Sequence, residues 1–258
     1  MNPAELDNYI AKALTVIKKT LYDLKPELME NYGVIEHEKK ADKSAVTRLD
    51  KHVETVLKTA LSKIDPRVGF YGEEFGIDGN TEVYWLIDPI DGTEAFIRGM
   101  PFCSNMLCLV NGEALAASVI YNFPLDEMFI AIAGRGATCN DKKITVSERK
   151  IDHASIEFEI RRDSKRNHAL YFGLPRYSVL KFSAAGFGFS QVAKGAIEAR
   201  VQYDGYGKLW DYAPGALLVS EAGGRVANMG SNIFEYNNLD FIASNQAVHE
   251  DLQNYFVN

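Results

Sequence analysis

The segment Val83–Gly99, VYWLIDPIDGTEAFIRG, decides how the rest of the chain is read. Its apolar run Val83–Ile87 predicts a buried strand that ends at Asp88. Pro89-Ile90-Asp91-Gly92-Thr93 follows, and then a short helical stretch. Two carboxylates three apart, with a proline fixing the turn, can point at one place beyond the strand end. Gly92 lets the backbone approach closely, and Thr93 begins a helix whose free N–H groups attract an anion. Carboxylates beside an anion site make sense only with cations between them. Oxygen-only ligands suit Mg²⁺, which shares its ligands with a substrate phosphate. The plainer reading of DPIDGT is a capped tight turn, since Asp, Pro, Gly and Thr are ordinary turn residues. A covalent aspartyl-phosphate mechanism is not supported, because two residues separate the aspartates where that motif has one.

Upstream, Asn2, Pro3 and Glu5 form a capping pattern for a first helix with the stripe Leu6, Ile10, Ala13, Leu14, Ile17 and Leu21. The polar stretch Glu36–Ser44 predicts a loop. A second helix is expected from about Ala45 to Ile64, stopped by Asp65-Pro66, and exposed polar residues on it are the structural alternative for the Thr47/Asp50 pair. Downstream, strands are expected at Val68–Tyr71, Asn105–Val110, Ala114–Tyr121 and Glu127–Ala133, with a hairpin turn at Asn111-Gly112. Beyond residue 150 the pattern becomes alternating α/β. Strands are expected at Ser155–Ile160, Ile197–Tyr203, Arg225–Asn228 and Asp240–Ala243, and helices near 184–194, 211–222 and 246–256. The expected organisation is an N-terminal α+β half (1–150) and a C-terminal α/β half (151–258) packed as one compact unit.

Composition narrows the function classes. The 258 residues are 47% hydrophobic, which excludes disorder as the dominant state. A net charge of −7 sets a nucleic-acid binder behind other classes. No apolar run reaches the ~20 residues needed to span a bilayer. The opening MNPAELDNYI shows neither a basic n-region nor an apolar h-region, so no secretory signal is expected. Cys103, Cys108 and Cys139 are odd in number without a CxxC pair, which predicts reduced thiols in a cytoplasmic protein. The five histidines form no ligand spacing, so zinc is not expected.

Two further acidic motifs point the same way as DPIDGT. Gly72-Glu73-Glu74 follows a short strand, and Trp210-Asp211 opens the helical run DYAPGALLVSEAGG, with Pro214 in its first turn. Each has a structural alternative, a solvated Glu74 and a helix cap at Asp211.

Taken in order, VTRLD, GEE, WLIDPIDGT and WDYAPGALLVSEAGG resemble the inositol monophosphatase family, over roughly Lys39–Asn245. The resemblance implies a layered α-β-α-β-α sandwich, of mixed α+β and α/β character, commonly a homodimer. It implies two or three Mg²⁺ ions: one held by Glu73, Asp88 and the Ile90 carbonyl, a second by Asp88, Asp91 and Asp211, and a weaker third near Glu73. It further implies that Asp50 and Thr93 orient the attacking water, and that backbone N–H groups of Gly92 and Thr93 bind phosphate oxygens. On the substrate side it implies contacts from Asp91, Ser183, Asp204 and Asp211. Phe182 stands in or beside the position where the family has a small residue, and Lys208 lies close by, with a solvated loop lysine as the alternative. The cluster Arg161, Arg162, Lys165 and Arg166 reads as a solvated surface, the alternative being contact with a second phosphate or with a neighbouring subunit's substrate.

The implied activity is Mg²⁺-dependent hydrolysis of small phosphate monoesters, with myo-inositol monophosphate leading and inhibition by Li⁺. The alternatives are a histidinol-phosphate or fructose-1,6-bisphosphate type of phosphatase on the same centre, and a catalytically silent metal- or phosphate-binding relative. The implied partner is a small phosphorylated polyol, with neither nucleic acid nor membrane.

Overall fold

The computed structural model describes residues 1–36, 38–39, 45–160, 178–182, 184–203 and 207–257. Helix α1 spans Pro3–Asn31, closed at its start by the reciprocal Asn2–Glu5 capping box. It runs well past Leu21 and carries Pro26 inside, because Leu21, Leu24 and Leu28 are buried and continue the apolar stripe. Strands β1 (Glu38–Lys39) and β2 (Ala45–Val46) pair antiparallel, so the expected loop is partly strand and Ala45 does not start the second helix. Helix α2 is Arg48–Ser62, because the Thr47–Asp50 capping box sets its first turn.

An eight-stranded sheet follows, in the order β10-β9-β8-β7-β6-β5-β3-β4. Its strands are β3 (Gly69–Gly72), β4 (Gly76–Asp78), β5 (Val83–Asp91), β6 (Ser104–Asn111), β7 (Ala114–Asn122), β8 (Glu127–Ile132), β9 (Gly136–Cys139) and β10 (Lys142–Lys143). β3 and β5 are parallel; the other neighbours are antiparallel. The β6–β7 hairpin turns at Gly112, whose φ of +63° suits glycine. Between β5 and β6 lies helix α3 (Thr93–Ile97).

The second sheet has five strands in the order β12-β11-β13-β15-β14. They are β11 (Ser155–Ile160), β12 (Ser178–Leu180), β13 (Ala199–Tyr203), β14 (Arg225–Asn228) and β15 (Phe241–Ser244), with helices α4 (Ala185–Ala193), α5 (Leu209–Glu221) and α6 (His249–Val257). The short strands β4, β9, β10 and β12 have no expectation behind them in the sequence.

Packing stacks these elements in layers. α1 and α2 bury Ile17, Leu21, Val53 and Leu57 against Trp85, Ile87, Leu107 and Leu109 on one face of the first sheet. α4 and α5 fill the space between the sheets, where Phe189, Val192, Leu217 and Leu218 meet Met106, Ile120 and Phe129 on one side and Phe241 and Ala243 on the other. α6 covers the far face of the second sheet through Val248, Leu252 and Phe256. The result is an α-β-α-β-α sandwich.

Candidate metal centre

β5 does not end at Asp88. It continues to Asp91 through an irregularity: Asp88 pairs with Met106 and Asp91 with Ser104, so β5 holds one residue more than β6 over this step. In an unbroken strand, residues three apart point to opposite faces; one extra residue puts them on the same face. Pro89 occupies the unpaired stretch, where its missing N–H costs the sheet nothing. Asn105 pins the bulge by donating from Nδ2 to the Pro89 carbonyl at 2.6 Å. The bulge thus replaces the free turn that the sequence suggested.

The consequence is a convergence of acids. Asp88, Asp91 and Asp211 each offer a carboxylate oxygen within 4.8 Å of the others. Asp211 arrives from the first turn of α5, where it is the third helical residue and accepts the Lys208 N–H at 2.6 Å. The helix therefore begins two residues before Asp211, and Pro214 lies beyond its first turn. Asp91 is held at both oxygens by the N-terminus of α4: Ala185 N donates to Oδ1 at 2.9 Å and Gly186 N to Oδ2 at 2.8 Å. Gly186 is required there, since a Cβ would meet the Ser104 hydroxyl at 2.3 Å.

The electrostatics of this trio are unbalanced. Asp88 is 2% exposed, and its Oδ1 is buried without a hydrogen-bond partner. Burial pushes its carboxyl well above the ordinary range, and the charges of Glu73, Asp91 and Asp211 add to the push. Burial and Asp211 raise Asp91 to about 7, against the pull of the α4 N–H groups. Burial raises Asp211 to about 6. Among the described residues no lysine or arginine side chain is bonded to any of the three. An orphaned carboxylate oxygen amid three buried acids fits a hard divalent cation, whose oxygen ligands this donor set supplies.

The neighbouring residues complete a pocket around the trio. Thr93 starts α3, donating its hydroxyl to the Ile90 carbonyl at 3.0 Å and lying 3.4 Å from Asp50 Oδ1. Asp50 is 1% exposed, not solvated, and its Oδ2 accepts both the Thr47 N–H and hydroxyl at 2.7 Å. Burial raises Asp50 to about 6 despite those two bonds. Gly92 has φ +77°, and a Cβ there would meet the Phe102 carbonyl at 2.4 Å. Glu73 follows β3, with its N–H bonded to the Ile87 carbonyl. Its charge is felt by Asp50, Asp88 and Asp211, although it stands outside the tight trio. Beside the acids opens a cleft of ≈ 160 Å³ lined by Asp91, Glu159, Ala184, Ala185, Gly207, Asp211 and Tyr212.

A model of the inositol monophosphatase family matches residues 5–257. The chain belongs to the inositol monophosphatase family. It is 30% identical over 234 residues to a fructose-1,6-bisphosphatase/inositol-1-monophosphatase of Aquifex aeolicus, covering 86% of this chain and 87% of that one. To inositol monophosphatase 2 of Solanum lycopersicum it is 32% identical over 248 residues, covering 91% and 89%. The structure of a Thermotoga maritima IMPase superposes with a TM-score of 0.85 at 27% identity, covering 94% and 95%. As a member of this family the chain is a phosphoric monoester hydrolase with a metal-dependent chemistry. No helix of the described residues is long and apolar enough to cross a membrane.

Ser183, Asp204 and the cluster Arg161, Arg162, Lys165 and Arg166 lie outside the described residues. Phe182, expected on the substrate wall, packs its ring against Phe187 and Phe102, with centroids 4.9 and 5.6 Å away. Lys208 is exposed and meets the site through its backbone N–H.

Several residues at this site carry no sequence expectation. Glu54, one turn after Asp50 on α2, is fully buried and accepts the N–H groups of Glu74 at 2.8 Å and Phe75 at 3.3 Å. Gly72 makes room for it, since a Cβ there would fall 1.9 Å from Glu54 Oε1. Its position among Val53 and Leu57 was a usable signal: a carboxylate on the buried stripe of an amphipathic helix needs a partner. Asn105, Glu159 and Arg200 were likewise missed.

Proposed function

We propose that this enzyme hydrolyses small polyol phosphates, with myo-inositol monophosphate the leading substrate, at a Mg²⁺ centre. The observation carrying this reading is the buried trio Asp88, Asp91 and Asp211 with its orphaned Asp88 oxygen. Asp88 would serve two ions, one shared with Glu73 and the Ile90 carbonyl, the other with Asp91 and Asp211; a third ion would sit near Glu73. Bound there, Mg²⁺ supplies neutralisation of the phosphate charge and of the developing charge on the leaving oxygen.

The chain's own residues do the rest. Thr93 Oγ1 and Asp50 Oδ1, 3.4 Å apart, orient the attacking water, and Asp50 takes its proton. A carboxyl raised to about 6 is well matched to that task near neutral pH. The Gly92 and Thr93 N–H groups hold phosphate oxygens, where the Cβ-free Gly92 permits close approach. Asp91, Ser183, Asp204 and Asp211 contact the alcohol, an assignment supported by the family resemblance alone. That resemblance also supports a homodimer, and the absence of cysteine pairs supports a cytoplasmic location. The Aquifex aeolicus relative, named for both substrates, favours a sugar bisphosphate as the second reading.

The test is phosphate release from a panel containing inositol 1-phosphate, histidinol phosphate and fructose 1,6-bisphosphate, with EDTA and with added Mg²⁺. Activity abolished by EDTA and restored by Mg²⁺, highest on inositol 1-phosphate and sensitive to Li⁺, is expected. Full activity in chelated protein would overturn the metal reading, and preference for the bisphosphate would overturn the substrate.

A further inference from the structure

The second sheet presents an unusual face to the cleft side. In β11 and β13, Ile156, Phe158, Ala199 and Val201 face the α6 layer. The alternating positions are Glu157, Glu159, Arg200 and Gln202, which by strand periodicity share the opposite face. That face is not solvated. Arg200 is 0% exposed, Glu157 1% and Gln202 0%. Arg200 donates through Nη1 to Glu157 and through Nη2 to Glu159 at 2.5 Å, with its guanidinium over the Phe189 ring.

One guanidinium balances one carboxylate, and Glu157 already supplies it from full burial. Glu159 adds a second acid and leaves this wall net negative, a costly surplus for a structural ion pair. Glu159 is also the member of the group that borders the cleft beside Asp91 and Asp211. Arg200 engages its Oε2, and the side chain remains 23% exposed. Gln202 stands opposite Glu159 in the β11–β13 register, fully buried, with both amide atoms unpartnered. Hydrogen-bonding capacity is thus left unused at this wall on Gln202 and on Arg200 Nε.

We propose that Glu159, oriented by Arg200, accepts hydrogen bonds from the alcohol half of the substrate and selects monophosphates bearing hydroxyl or ammonium donors over bisphosphates. The inference rests on the phosphatase reading above and decides among its substrates. A donor group on the alcohol meets an acceptor held in place by a buried guanidinium. A second phosphate would bring like charge against the same carboxylate, with no cation among the described residues that line the cleft to offset it.

Two comparisons test this with Mg²⁺ saturating. In the unaltered enzyme, inositol 1-phosphate should exceed cyclohexyl phosphate in kcat/KM by at least about tenfold, since only the first has donors for Glu159. In Glu159→Gln the kcat/KM ratio of inositol 1-phosphate to p-nitrophenyl phosphate should fall about tenfold, mostly through KM. The ratio of fructose 1,6-bisphosphate to p-nitrophenyl phosphate should rise. No preference for inositol over cyclohexyl phosphate would overturn the proposal without any variant. So would an unchanged ratio in Glu159→Gln, or a parallel loss on every substrate with weaker Mg²⁺ activation, which marks an ion ligand. If the unaltered enzyme shows no Mg²⁺-dependent hydrolysis of p-nitrophenyl phosphate, the phosphatase reading fails instead.

Discussion

Both walls of the cleft are acidic, and they differ in what answers the charge. On the first-sheet wall, Asp88 and Asp211 hydrogen-bond each other, and Asp91 and Asp211 otherwise accept only from backbone N–H groups and the Ser104 hydroxyl among the described residues. On the second-sheet wall, Glu157 and Glu159 close on Arg200. Burial opposes the Arg200 charge, yet the two glutamates hold its pKa above the ordinary value. An acidic group answered from within the chain is complete when folded. One left unanswered is complete only with a cation from outside, so the imbalance itself supports the proposed Mg²⁺ site.

The comparison breaks most sharply at Asp88. Asp88→Asn removes the carboxylate assigned to both ions, and kcat should fall by at least ~10²–10³. The fold should persist, because losing one crowded charge relieves repulsion in the metal-free protein. Near-normal kcat at saturating Mg²⁺, with an unchanged circular dichroism spectrum, would reduce the bulge to a structural feature.

A smaller loss, about 10²-fold in kcat, is expected for Thr93→Ala. The hydroxyl is deleted while the backbone donor and helix start remain, so Mg²⁺ affinity and KM should change little. Asp50→Asn should match it, and the double variant should lose far less than the two effects combined, because the pair acts as one unit. Additive losses, or a collapse of Mg²⁺ affinity in Thr93→Ala, would reassign the pair to the metal wall.

What could be read in advance follows from how local each cause is. The apolar stripe of α1, the Asn111-Gly112 hairpin and the helices of the second half depend on neighbours in sequence, and all were legible. So was the start of α2 in principle, since Thr47-Arg48-Leu49-Asp50 carries the side-chain pattern of a capping box. Ala45 and Val46 continued the apolar pattern and hid it. The bulge in β5 was not legible, because its register is set by β6 and by Asn105, 16 residues away. The buried polar face of β11 and β13 misleads for a related reason. Alternation of Ile156, Glu157, Phe158 and Glu159 predicts a strand with one wet face, and only the packing of α4 and Arg200 shows that face covered.

Glu54 sharpens the contrast, because it is an acid of the first layer that the backbone answers. It ties α2 to the turn bearing Glu73 by accepting from Glu74 and Phe75. Glu54→Gln turns one acceptor into a donor facing an N–H group. The Mg²⁺ concentration for half-maximal activity should rise about tenfold, the scale of disturbing a group behind a metal ligand, with kcat at saturating Mg²⁺ less affected. Equal Mg²⁺ dependence in variant and parent would show that the Glu73 turn holds itself.

The smallest effect is thermodynamic and separates the walls by pH. Folded-state pKa values of about 6, 7 and 6 at Asp50, Asp91 and Asp211 lie above the unfolded value of 3.8. Groups raised on folding contribute stability that is fully present below pH 3.8 and is lost as pH rises through 6–7. At the proposed site Mg²⁺ would replace the protons on this wall, so its stabilising effect should be small at pH 5 and reach a few °C in Tm at pH 7.5. His249 runs the other way: burial lowers it from 6.5 to about 4, so its contribution is lost as pH falls between those values. Glu157, raised to about 7 by burial despite Arg200, adds to the first trend. Neither belongs to the proposed ion site, so both cancel when Tm with Mg²⁺ is compared with Tm in EDTA at the same pH. Thermal melts at pH 5 and 7.5, each with and without Mg²⁺, isolate the unanswered acids. A Tm difference independent of pH would mean that the three carboxylates are already ionised without metal, and that the two walls are electrostatically alike.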